Sequence, residues 1–124
     1  MTKILAVDDS PSLRQMVAFT LKGAGHDVSE AADGVEALGI AKGQAFDLVI
    51  TDINMPNMDG LDFYKALSKN RKWSEIPFLL ITAEKERDKV IEAVKAGIKE
   101  YLVKPVVPEK LGSKIKEVVF GGAD

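Results

Sequence analysis

Two kinds of apolar pattern alternate along the chain. Ile4-Leu5-Ala6-Val7, Asp47-Leu48-Val49-Ile50-Thr51 and Phe78-Leu79-Leu80-Ile81-Thr82 carry continuous apolar runs. Runs of that length read as strands buried on both faces. Asp27 to Ala32 is a weaker strand in which Val28 alternates with Glu30, and Tyr101-Leu102-Val103 is a last short one. Between the strands the apolar residues recur at helical spacing. Leu13, Met16, Val17, Thr20 and Leu21 form the first such stripe, closed by Gly23-Ala24-Gly25. Asp33 with Glu36 three residues on marks the start of a second helix, at capping-box spacing. Turn-forming residues Asn54 to Gly60 lead into a third helix with Leu61, Tyr64 and Leu67 along one face. Val90, Ile91 and Val94 outline a fourth, stopped at Gly97. Pro108 suits the first turn of a fifth, which carries Leu111, Ile115, Val118 and Val119. Gly121-Gly122-Ala123-Asp124 reads as a frayed end.

Five strands alternating with five helices predict an α/β fold, a doubly wound parallel sheet covered on both faces. The length of 124 residues fits one domain, residues 1–124. Net charge is −2, from 17 Lys/Arg against 19 Asp/Glu, which gives no basic surplus for nucleic acid. The absence of cysteine excludes disulfides and thiolate chemistry, and His26 as the single histidine argues against histidine-based metal sites or a Ser-His-Asp triad. No apolar run approaches the ~20 residues of a membrane helix, and Met1-Thr2-Lys3 enters the first strand without a signal-peptide layout. The expectation is a cytoplasmic domain whose chemistry comes from carboxylates, hydroxyls and lysines.

In open α/β sheets ligands bind beyond the carboxyl ends of the strands. Here those ends carry Asp8 and Asp9, Asp52, Thr82 and Lys104. Each has a plain structural reading: Asp is common turn or capping material, Thr is a good strand residue, and most lysines are simply solvated. Jointly, polar residues closing four of five strands on one edge favour a site. Three close carboxylates repel unless a cation joins them. Without His or Cys that cation should be hard and oxygen-bound, and Mg²⁺ fits best. A metal flanked by an ammonium and a hydroxyl suits a phosphoryl group. No glycine-rich nucleotide motif is present, so a carboxylate should be the phosphoryl acceptor.

Taken in order, Val7-Asp8-Asp9-Ser10, Asp52-Ile53-Asn54-Met55-Pro56 with Asp59-Gly60, Thr82-Ala83 and Lys104-Pro105 resemble the response-regulator receiver domains of bacterial two-component signalling, over nearly the whole chain. The resemblance implies a flavodoxin-like, CheY-like strand order of 2-1-3-4-5. It implies that Asp52 accepts phosphate from a histidine kinase, and that Asp8, Asp9, Asp52 and the Asn54 backbone carbonyl hold Mg²⁺. Lys104 would contact the phosphoryl oxygens, Thr82 would swing toward them, and Tyr101 would be the switch aromatic. Tyr101 also has the reading of a space-filling strand aromatic. A chain stopping after its fifth helix should act through protein contact, most like the single-domain chemotaxis regulators that bind the flagellar motor switch. Such a regulator is expected to be a monomer, with a phosphatase as a further partner and no nucleic-acid or membrane partner. Asn54 and Glu84 would tune self-catalysed dephosphorylation. Val90, Tyr101, Val103 and Lys114 are the candidate partner face, Val90 being equally readable as core.

Two positions depart from the pattern. Ile53 replaces a tryptophan common beside the acceptor, leaving Trp73, in the loop before the fourth strand, as the lone tryptophan. Val106 stands where phenylalanine is frequent. Three other functions compete: a receiver serving a phosphorelay or another output, an aspartyl-phosphate phosphatase of small substrates, and a flavin carrier. The phosphatase would need a second Asp where Asn54 stands, and Asp8-Asp9 would repel a flavin phosphate.

Overall fold

The computed structural model describes residues 2–119; the expected frayed end, 121–124, lies outside the described residues. Among the described residues the elements are β1 (Lys3–Val7), α1 (Pro11–Gly23), β2 (Asp27–Ala31), α2 (Gly34–Gly43), β3 (Leu48–Asp52), α3 (Gly60–Ser68), β4 (Phe78–Thr82), a 3₁₀ turn (Glu84–Glu86), α4 (Arg87–Ala96), β5 (Glu100–Val103) and α5 (Pro108–Val119). All strands are parallel, in the order β2-β1-β3-β4-β5. Chain order reverses at β1, between β2 and β3, and this places the carboxyl ends of β1 and β3 side by side.

Alternating side chains of the central strands feed two cores, as strand geometry requires. Leu5, Val7, Val49, Phe78 and Leu80 meet α2, α3 and α4 on one face. Ile4, Ala6, Leu48, Ile50, Leu79 and Ile81 meet α1 and α5 on the other. Caps start the helices where the sequence places them. Ser10 accepts from the Leu13 amide at the head of α1, ahead of Pro11. Asp33 Oδ1 accepts from the Glu36 amide at 2.9 Å, while the Glu36 carboxylate accepts from the Ala32 amide. Asp59 accepts from the Asp62 amide at 2.8 Å to start α3.

Two details differ from the pattern-based reading, and one residue it placed correctly turns out to be core. The stripe Val90-Ile91-Val94 does not seat α4. Ala93 is its fully buried residue, while Ile91 and Val94 are 48% and 51% exposed. Ala93 therefore carries the core-facing side of α4, and the larger apolar residues stand outward. Trp73 lies in the loop before β4, as the sequence places it, and its side chain is buried in the core. Phe63, absent from the predicted face of α3, is fully buried there and packs on Phe78 with ring centroids 5.4 Å apart.

Candidate functional site

Asp8 follows β1 directly and its amide donates to the Ala31 carbonyl at 3.1 Å, which extends the β1–β2 ladder by one step. Asp52 is the last residue of β3, one place further into the strand than expected, and is paired in register with Ile81. Both are buried, whereas Asp9 is exposed. Carboxylate oxygens of Asp8, Asp9 and Asp52 lie within 4.8 Å of one another. Across β4, the Lys104 amide donates to the Thr82 carbonyl at 2.8 Å, and its ammonium reaches Asp52 Oδ2 at 3.3 Å. Four strand ends thus deliver three carboxylates, one hydroxyl and one ammonium to one edge, as the sequence predicts.

The electrostatics of this edge are unbalanced. Burial pushes the Asp8 carboxyl up to about 6; the Ser10 amide opposes this at 2.9 Å, and the Asp52 charge adds to it. Burial likewise raises Asp52, against the pull of the Lys104 ammonium. Asp8 Oδ2 and Asp52 Oδ1 are buried with no hydrogen-bond partner. Oxygens in that condition cost free energy unless a cation meets them. Two orphaned carboxylate oxygens beside a third, exposed carboxylate fit a divalent cation that keeps part of its water shell, which is the habit of Mg²⁺.

The remaining candidates lie around this centre. Asn54 is exposed in the loop after β3, its side-chain oxygen 3.5 Å from the Lys89 ammonium. Glu84 is exposed at the start of the 3₁₀ turn. Thr82 is buried, and its hydroxyl donates to the Ala83 carbonyl at 3.1 Å and not to Asp52. A cleft of about 380 Å³ runs from Thr82 past Arg87 and Val90 to Tyr101 and Val103. Tyr101 is 45% exposed at the edge of the sheet. Val90 therefore lines a surface cleft and is only half-buried. Lys114 is not part of this cleft: its ammonium is held by Glu100 at 2.7 Å and Glu117 at 3.6 Å on α5.

Three residues near the site escaped sequence reasoning, and a fourth, Gly60, was read only as turn and motif, without its close approach to β3. Arg14 donates to the Asp8 carbonyl at 2.7 Å and pairs with Glu30 at 3.3 Å, bracing the β1–α1 turn. Lys89 reaches Asn54 from thirty-five positions away, a contact with no local signal. Gly60 stands so close to β3 that a Cβ there would lie 2.3 Å from the Asp52 carbonyl oxygen. Glu86 closes the turn after β4 by accepting from the Ala83 amide at 2.8 Å. Its spacing is that of a capping box, but alanine at the cap position hides it.

A doubly wound sheet with an acidic pocket at its switch point and a lysine opposite defines a class, and the comparisons agree with it. The family model described as "Response regulator receiver domain" matches residues 4–116, and the chain belongs to that family. Phosphorylation and Mg²⁺ are typical of the family. Among relatives, the chemotaxis protein CheY1 of Helicobacter pylori is 44% identical over 124 residues, covering 98% of this chain and 99% of its own. A chemotaxis protein CheY homolog of Campylobacter jejuni is 40% identical over 123 residues, covering 98% and 95%. Among solved structures, the chemotaxis protein CheY4 of Vibrio cholerae superposes with a TM-score of 0.90 at 45% identity, covering 95% of this chain and 98% of that one.

Proposed function

We propose that this protein is a phosphorylation-controlled signalling switch of the chemotaxis type, in which Asp52 is the phosphoacceptor. The observation that carries the reading is Asp52 itself: a buried carboxylate with one oxygen unpartnered beside Asp8 and the other 3.3 Å from the Lys104 ammonium. Asp8, Asp9, Asp52 and the backbone carbonyl of Asn54 would hold Mg²⁺. When bound, the ion supplies positive charge that keeps the carboxylates ionised and neutralises phosphoryl oxygens.

The phosphodonor is a histidine kinase. An Asp52 oxygen attacks the phosphorus of the phosphohistidine, an O–P bond forms as the N–P bond breaks, and the imidazole leaves with the electron pair. Lys104 holds a phosphoryl oxygen through its ammonium. Thr82 turns its hydroxyl from the Ala83 carbonyl to another phosphoryl oxygen. Tyr101 then moves into the cleft beside Thr82, whose volume of about 380 Å³ leaves room for its ring. The altered surface of α4, β5 and α5 binds the effector, the flagellar motor switch, with Val90, Tyr101, Val103 and Lys114 as contact residues. Water held by Asn54 and Glu84 hydrolyses the acyl phosphate and resets the switch; an auxiliary phosphatase would act at the same bond. The domain works as a cytoplasmic monomer spanning residues 1–124, and no helix among the described residues is long and apolar enough to cross a membrane.

The test is acetyl phosphate with and without Mg²⁺, followed by intact mass and borohydride trapping. One phosphate that requires Mg²⁺, maps to Asp52 and is missing in Asp52→Asn is the expected result. A folded wild-type protein that takes no label refutes the reading.

A further inference from the structure

The Thr82 hydroxyl has two acceptors within reach, and only one is a side chain. Its shorter contact is to the Ala83 carbonyl at 3.1 Å, with Glu86 Oε1 at 3.5 Å. The same Glu86 oxygen accepts from the Ala83 amide at 2.8 Å, so the carboxylate is fixed in place by the turn it closes. It is not a freely rotating surface charge.

We propose that Glu86 is a positioning residue for the switch: its carboxylate, beside the Ala83 carbonyl that takes the shorter hydrogen bond, helps hold the Thr82 hydroxyl in the unphosphorylated orientation and must be outcompeted before the hydroxyl can reach a phosphoryl group on Asp52. The inference rests on the reading of Asp52 as phosphoacceptor. A hydroxyl has one proton to donate, so an anion at Asp52 and the carboxylate of Glu86 compete for it. Hydrogen bonds to charged acceptors are the stronger ones, so a carboxylate is a more effective competitor than a neutral amide in the same place. The added negative charge at Asp52 would in turn repel Glu86, which couples release of Thr82 to the arrival of phosphate. Glu86 thereby sets how much phosphoryl-like anion is needed to trip the switch.

Beryllofluoride with Mg²⁺, a phosphoryl mimic that binds carboxylates, gives the test. Its half-saturating concentration would be measured by following the Ala83 and Thr82 amides by NMR. The proteins are wild type, Glu86→Gln, Thr82→Ala and the double variant. Glu86→Gln keeps an oxygen to cap the Ala83 amide, so the turn stays folded while the charge goes. The expected result is a fall in half-saturation of about three- to tenfold, the size of one ordinary hydrogen bond. In the Thr82→Ala background the same change should stay within about twofold, because the hydroxyl it acts through is gone. No gain in Glu86→Gln overturns the inference. An equal gain with and without the Thr82 hydroxyl overturns it too, since that is charge removal alone. Wild-type protein that fails to bind beryllofluoride overturns the phosphoacceptor reading together with it.

Discussion

Asp8→Asn should stabilise the metal-free protein, although it removes a residue the site needs. Asp8 is 4% exposed, one of its oxygens is unpartnered, and its carboxyl is pushed from 3.8 up to about 6. A raised carboxyl pKa means that the unfolded chain gives up the proton more easily than the folded one. Stability is therefore full below the unfolded value and is lost as pH rises toward 6. A gap of about two pH units corresponds to about 3 kcal/mol at pH 7.5, falling to about 0.5 kcal/mol at pH 4. Asparagine keeps the Oδ1 acceptor for the Ser10 amide, but it adds an N–H pair to a crowded pocket, which takes back part of the gain. The expected net effect is about 1–3 kcal/mol of added stability at pH 7.5, in a family of groups whose shifts work mainly by desolvation. Urea unfolding in EDTA at pH 4 and pH 7.5 measures it, the relief of the neighbouring Asp52 carboxyl included. A variant no more stable than wild type at pH 7.5, or a difference equal at the two pH values, would refute the electrostatic account of the site.

Other perturbations follow from the same geometry. Mg²⁺ should raise the melting temperature of wild type by mass action on the folded state and do so far less for Asp8→Asn, as calorimetry with and without EDTA would show. Lys104→Gln removes the charge and hydrogen bond that hold Asp52 down, so the Asp52 carboxyl should titrate higher, read from its side-chain carbon resonance. Gly60→Ala puts a methyl 2.3 Å from the Asp52 carbonyl oxygen and should cost more than about 2 kcal/mol by denaturant unfolding. On α4, Val94→Ser should change stability by less than about 0.5 kcal/mol, while Ala93→Leu should cost about 1–3 kcal/mol; the reverse order would mean the helix is seated as its apolar stripe suggests. Trp73 is buried away from the acidic edge, so its emission should shift red on unfolding and stay nearly unchanged on adding Mg²⁺.

Much of this was legible in the chain alone. Continuous apolar runs identify parallel strands because only a strand covered on both faces has no polar alternation. Strand ends identify the site because a doubly wound sheet gathers them on one edge. Local hydrogen bonds also leave a mark, as with Asp33 and Glu36, whose partners are three residues apart. Signals fail where the partner is remote or the usual residue type is replaced. Arg14 and Glu30 are joined only because α1 packs beside β2, and Glu86 works behind an alanine cap. Helix α4 misleads because its period marks which residues share a face, not which face meets the sheet.

The sequence by itself determined the element order, the two-sided core and the five polar residues brought to one edge, since these depend on periodicity and on chain direction. Tertiary structure decided which oxygens are buried without partners, that Lys104 stands 3.3 Å from Asp52, and that the Glu86 carboxylate stands 3.5 Å from the Thr82 hydroxyl. Those are matters of distance and desolvation between residues far apart in the chain. Such quantities exist only once the packed sheet fixes the separation of its strand ends and excludes water from between them.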